Sequence, residues 1–145
     1  MENHLSANYA LANDLDASDT STWNYNTTET YYMGFDPIGE SSDDFKGGFD
    51  GYYYTVSGLY IYRPDYDSVG LFGYSGWESD YIRNVGLIDV NIFGGYRAGG
   101  LIGRADSPIT SCFTTGTVAG NDSNSVVGGI TAQSHGKTRY SGSMS

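Results

Sequence analysis

The chain has 145 residues, a formal net charge of −10 and one cysteine. That length suits one domain around one continuous core, and a single Cys excludes an intrachain disulfide or a cysteine zinc cluster. The Lys and Arg residues form no run, which excludes nucleic acid and an anionic membrane surface as partners, and no stretch approaches the ~20 apolar residues needed for membrane insertion.

In chain order, Met1-Glu-Asn-His4 shows neither the basic start nor the apolar block of a signal peptide, so no export signal is visible. Asp14, Asp16 and Asp19 follow in a D-x-D-x-x-D spacing. Calcium takes six to eight oxygens, which makes these three the candidate ligands. No glycine or distant glutamate completes a calcium loop, and turn formation by Asp side chains is the competing reading. Asn26-Thr-Thr28 and Asn121-Asp-Ser123 are formal N-glycosylation acceptors.

Tyrosine dominates the next stretch, with Tyr31-Tyr32, Tyr52-Tyr-Tyr54 and Tyr60/Tyr62, followed by Trp77. Tyr60 and Tyr62 alternate with Leu59 and Ile61, so an inward Leu59 and Ile61 predict outward tyrosines. Tyr52, Tyr54, Tyr60, Tyr62 and Trp77 form the candidate aromatic binding surface, since such rings combine apolar area with a polar tip. Structural cover over a sheet face is the alternative role for the same rings.

From residue 56 onward the chain repeats. Val69-Gly-Leu-Phe-Gly73, Gly99-Gly-Leu-Ile-Gly103 and Gly128-Gly-Ile-Thr131 align Leu71, Leu101 and Ile130 at steps of 30 and 29. A second series, Val56-Ser-Gly-Leu59, Ile82-Arg-Asn-Val85 and Ile109-Thr-Ser-Cys112, steps by 26 and 27. This period, with two-residue alternation and glycine-marked turns, predicts stacked coils in which like residues superimpose. Val56, Leu59, Leu71, Ile82, Val85, Leu101, Ile109, Cys112 and Ile130 are the predicted core ladder, with Cys112 a small buried hydrophobe. Paired glycines suit corners where a side chain would clash or φ must be positive.

These blocks resemble the GLUG repeat of large bacterial and archaeal surface proteins and adhesins. Tyr9-Ala-Leu-Ala-Asn-Asp-Leu-Asp16, Phe35-Asp-Pro-Ile-Gly39 and Phe45-Lys-Gly-Gly-Phe-Asp-Gly51 look like the segments that precede such repeats. The resemblance covers roughly residues 5 to 131; it departs at Ile130-Thr131, where Leu-Val-Gly is usual. It implies a right-handed β-helix in an extracellular or cell-surface polypeptide, without catalytic residues.

The expected fold is therefore all-β, a right-handed parallel β-solenoid of about four coils with roughly three short strands per coil. Residues 1–131 form it, with an irregular Asp/Tyr-rich part over 1–48 and regular coils over 49–131. Residues 132–145 read as a Ser/Gly-rich tail or cap that loses the ladder. No cofactor is expected apart from the calcium candidate. The expected function is a non-enzymatic extracellular scaffold or adhesin segment that presents loops and tyrosines to a glycan or surface protein. A self-assembling subunit is the second reading, because unpaired strand edges template further chains and permit end-to-end homo-oligomers. A carbohydrate-active enzyme is the third. It requires two carboxylates across one cleft, for which Asp65, Asp67, Glu78 and Asp80 are the candidates, while His4 and His135 show no metal-binding spacing.

Overall fold

A computed structural model describes residues 1, 3–135, 138–139 and 142–144. Among them the fold is all-β, with parallel sheets of five, six, three and three strands and one antiparallel hairpin. A single 3-10 helix, Ser18–Thr22, is the helical element among the described residues.

The chain visits the four parallel sheets in a fixed order and then returns to the first. One return runs Tyr81–Arg83, Gly86–Gly94, Arg97–Gly99, Ile102–Ala105. The next runs Ile109–Thr110, Phe113–Gly120, Val126–Gly128, Thr131–Ser134. Each such return holds four strands, one more than the alternation predicts. Gly86–Gly94 is a single nine-residue strand with a bulge between Leu87 and Val90, opposite Thr114–Gly116, which period-two counting splits.

Register ties the returns together. In the first sheet Tyr9 pairs Phe49, Phe49 pairs Ile82, and Ile82 pairs Ile109. In the second, Leu15, Val56, Leu87 and Thr114 form one rung, and Ile61, Ile92 and Val118 another. In the fourth, Phe72 pairs Ile102 and Ile102 pairs Thr131, reproducing the steps of 30 and 29.

All nine residues of the expected core ladder are buried, and Phe45, Phe72, Ile61, Leu87, Ile92 and Ile102 join them in one cluster. Fully burying each aliphatic side chain contributes about 1.5–3 kcal/mol. Burial also pushes the Cys112 thiol up to about 11, so it stays protonated at neutral pH.

Two sequence expectations need correction. Val56 does not share a rung with Ile82: its partner is Leu87, and Phe49 is the residue opposite Ile82. Leu59, next to Tyr60↔Asn91, lies in the second sheet beside Val90, away from Val85 and Cys112. Nor does the ladder stop at residue 131. Thr131–Ser134 pairs with Ile102–Ala105, and Thr138–Arg139 and Gly142–Met144 pair with the first and second sheets.

The irregular first part has a definite structural job. Its hairpin, Tyr25–Asn26 with Tyr31–Tyr32, leads into a segment that occupies strand edges. Gly34 bridges Ile61 in antiparallel fashion, while Phe35 N–H donates to Tyr60 O and Tyr62 N–H to Met33 O. Ile38 and Phe45 bridge Phe72 and Ser75 in parallel fashion. Arg63, buried although charged, anchors this segment by donating to Phe35 O at 3.1 Å and Gly34 O at 3.3 Å, with Asp36 at 3.5 Å. The leading edges of Tyr60–Arg63 and Phe72–Ser75 are thus already hydrogen-bonded.

Candidate functional site

The corners that join the sheets carry the exposed chemistry. Between the first and second sheets the chain turns through a left-handed residue, Asn84 in one return and Ser111 in the next. The corresponding corner at residues 51–54 is two residues longer, since Asp50 pairs Arg83 while Thr55 pairs Gly86. The extra length throws three tyrosines outward: Tyr52 is 61% exposed, Tyr53 79% and Tyr54 37%.

Tyr52 and Tyr53 hold φ of 49° and 66°, a region that L side chains disfavour by roughly 1–2 kcal/mol each. The turn is fixed from below. Tyr52 N–H donates to Asp50 Oδ1 at 2.8 Å, and Tyr53 N–H to Asn84 O at 2.8 Å. Glycine relieves the φ strain, so Tyr53→Gly is expected to leave stability unchanged or raise it by up to about 1 kcal/mol. Tyr54→Gly, at a residue without positive φ, is expected to lower it; urea unfolding midpoints of the pair check this.

Tyr60 and Tyr62 do point away from buried Leu59 and Ile61, but neither stands free. Tyr62 lies between Phe93, stacked at 5.0 Å and 14°, and Tyr31, edge-on at 4.8 Å. Tyr60 packs against Gly34, where an added Cβ would meet its ring at 2.7 Å. The hairpin contributes a further pair, Tyr25 with Tyr32 at 4.9 Å. These two members of the expected aromatic surface serve as half-buried seating for the first part. The five expected residues form no single patch: Tyr52 and Tyr54 occupy one corner, Tyr60 and Tyr62 a covered sheet face, and Trp77 a different loop.

Trp77 is 88% exposed. Its loop is also an insertion: six residues separate Ser75 from Ile82, whereas three separate their partners Ala105 and Ile109. The loop is pinned by Ser79, whose hydroxyl donates to Phe45 O and whose N–H donates to Gly76 O at 3.2 Å. Ser41, Asp44, Lys46, Tyr74 and Glu78 line the cleft beside the indole.

The aspartates of the first part are dispersed in their roles. Asp14 accepts from Thr55 N–H at 2.9 Å, Asp16 accepts from Ser18 N–H at 2.9 Å, and Asp19 lies in the 3-10 helix. Among the described residues no group of three or more His, Cys, Asp or Glu side chains is placed to hold a metal ion. Of the carboxylates weighed for hydrolysis, Asp65 and Asp67 line a groove with Glu40, and Glu78 lines the Trp77 cleft. Asp80 donates its N–H to Gly47 O.

Two polar networks on outward rungs escape a reading of the apolar series. Asp50 and Arg83 are paired across the first sheet at 2.8 Å, with Asn84 donating to Asp50 at 3.1 Å. Asp106 accepts from Tyr74 Oη at 2.6 Å and lies 2.7 Å from His135 Nδ1, with Arg104 at 3.5 Å. Tyr74, Arg104 and Gln133 share one rung, so extending the 30- and 29-residue steps outward from Leu71 finds them.

Burial alone would raise both carboxyls. Instead the Tyr52 N–H, Arg83 and Asn84 hold Asp50 below its ordinary value, and Tyr74, His135 and Arg104 do the same for Asp106. A folded-state pKa below the unfolded one contributes stability that is fully present above the unfolded pKa of ~4 and is lost as pH falls through the folded pKa. Stability is therefore expected to be flat from neutral pH to about 5 and to fall below ~4. The double variant Asp50→Asn/Asp106→Asn is expected to flatten that acid limb in a chemical-denaturation series.

No protein-family model matches the chain, and its likeness to the GLUG repeat rests on the glycine blocks and the segments before them. No solved structure matches it. Halomucin is a relative. That protein, from Haloquadratum walsbyi, is 38% identical over 127 residues, covering 84% of this chain and 1% of halomucin. A putative Gly-rich membrane protein of Evansella cellulosilytica is 39% identical over 54 residues, 37% of this chain and 6% of that protein. The chain thus spans only a small fraction of the curated relatives it matches. No helix among the described residues is long and apolar enough to cross a membrane.

Proposed function

We propose that this chain is a right-handed parallel β-solenoid segment serving as a non-enzymatic extracellular scaffold or adhesin element. Its corners present aromatic side chains to a glycan or protein partner. The observation that carries the reading is the division of labour between rungs and corners. Rungs such as Phe49–Ile82–Ile109 are apolar and buried, whereas Tyr52, Tyr53 and Trp77 protrude from corners lengthened relative to the next return. Right-handed winding is the sense that parallel crossover connections favour. The likeness to halomucin supports a place at the cell surface.

An antibody raised against the purified chain tests the location. It is expected to label intact cells of the source organism, and labelling that requires lysis would remove the extracellular reading. End-to-end stacking is the weaker alternative, because residues 33–38 and Phe45 already occupy the leading edges of the second and fourth sheets. Light scattering across a concentration series is accordingly expected to show a constant mass.

A further inference from the structure

We infer that the cleft beside Trp77 is a binding site for a neutral pyranose ring; the inference rests on the presentation reading above and names one of its sites and its ligand class. The indole is nearly fully exposed, yet its loop is not loose. Ser79 ties the loop to Phe45 O, Asp80 N–H donates to Gly47 O at 3.3 Å, and Gly76 closes the turn with Ser79. Asp44 lies against Gly76 so closely that a Cβ there would meet its Oδ2 at 1.9 Å. An aromatic ring on a pinned turn loses little freedom on binding, which is the condition for a preorganised contact.

The surroundings select the ligand. Beside the ring stand the carboxylates of Asp44 and Glu78, the Lys46 ammonium 3.8 Å from Asp44, and the Ser41 hydroxyl. Tyr74 completes the wall, its ring held between Arg104 at 4.8 Å and its hydroxyl bond to Asp106. A protein anchor site would surround such a ring with apolar area; here one flat apolar surface is rimmed by hydrogen-bonding groups. A pyranose has the complementary form, an axial C–H face to lie on the indole and a rim of hydroxyls for carboxylates and ammonium to bind. Two carboxylates against one ammonium, on a chain of net charge −10, disfavour a uronic acid.

Saturation-transfer NMR with methyl β-D-glucopyranoside, methyl β-D-galactopyranoside, methyl α-D-mannopyranoside and methyl β-D-glucuronide tests the site. The full chain, Trp77→Ala and Tyr52→Ala/Tyr54→Ala are compared, with thermal melts confirming that each variant is folded. At least one neutral glycoside is expected to bind with millimolar affinity, to lose at least tenfold in Trp77→Ala, and to be retained by the tyrosine variant. The glucuronide is expected to bind more weakly than its neutral counterpart. Binding lost in the tyrosine variant and kept in Trp77→Ala would overturn this site while leaving glycan presentation standing. Absence of binding to every neutral glycoside would overturn it as well, with cell-surface labelling still deciding the scaffold reading.

Discussion

Phe72→Ala is expected to cost about 3–5 kcal/mol, a large share of the stability of a domain this size. Phe72 is fully buried and pairs with Ile102 on one side and Ile38 on the other. Its ring meets Phe45 at 5.0 Å and Phe49 at 5.3 Å. The side chain thus joins the edge-covering segment to the first and fourth sheets. Truncation removes transfer free energy and leaves a cavity walled by hydrogen-bonded rungs that cannot collapse inward. Urea unfolding followed by far-UV dichroism gives the number, and a loss below ~1 kcal/mol would show that the three phenylalanines are not a shared core. Phe72→Leu is expected to recover most of the loss.

Gly99→Ala is expected to cost about 3 kcal/mol, the upper end for overpacking. The reason is space, not backbone conformation, because Gly99 is not among the positive-φ glycines. An added Cβ would lie 2.0 Å from Ile102 O and 3.0 Å from Ile130 O, both backbone atoms held in place. Gly128 faces the same obstacle at Thr131 O, 2.0 Å away. Gly58→Ala supplies the contrast: its φ is +74° and its nearest neighbour is Ser18 Cα at 3.1 Å, so strain dominates and about 1 kcal/mol is expected. Unfolding midpoints of the two variants separate these causes, and equal losses would refute the assignment.

The same contrast explains how far the sequence could be read. The glycine blocks mark one corner in three successive returns, and the paired strands on both sides of that corner fix their interval. Leu71, Leu101 and Ile130 therefore point to the true steps of 30 and 29. The second series misled for a local reason. Gly58, Asn84 and Ser111 all have left-handed φ and each is followed by a buried apolar residue. Apolar-x-left-handed-apolar is thus one turn used at two different places, one corner and one point inside a sheet. Gly58 corresponds to Asp89, at φ 54° within the second sheet, while Asn84 corresponds to Ser111. The extra residues at 51–54 and 76–81 hid this by changing the interval.

Site residues were harder to read, because exposure depends on what covers a face. Tyr62 and Tyr52 look alike in sequence, yet the hairpin at 25–32 covers Tyr62 while Tyr52 stays 61% exposed. The Asp106 network was legible in principle, since Tyr74, Arg104 and Gln133 repeat on the interval of the glycine blocks. His135 bonds to Asp106 one residue past the paired Ala105 and Ser134 and at the same 29-residue step, so the interval that finds Gln133 finds it too.

The rungs keep their register while the connections between them change length. From the second sheet to the third the chain uses four residues after Arg63, two after Gly94 and five after Gly120, between strands that remain paired. Lengthening a surface connection costs only about 0.6 kcal/mol per doubling. In a lineage carrying such a chain, gain or loss of a few codons at a corner is close to silent for folding and immediate for what the exterior displays. Recognition can then drift quickly over a frame that drifts slowly.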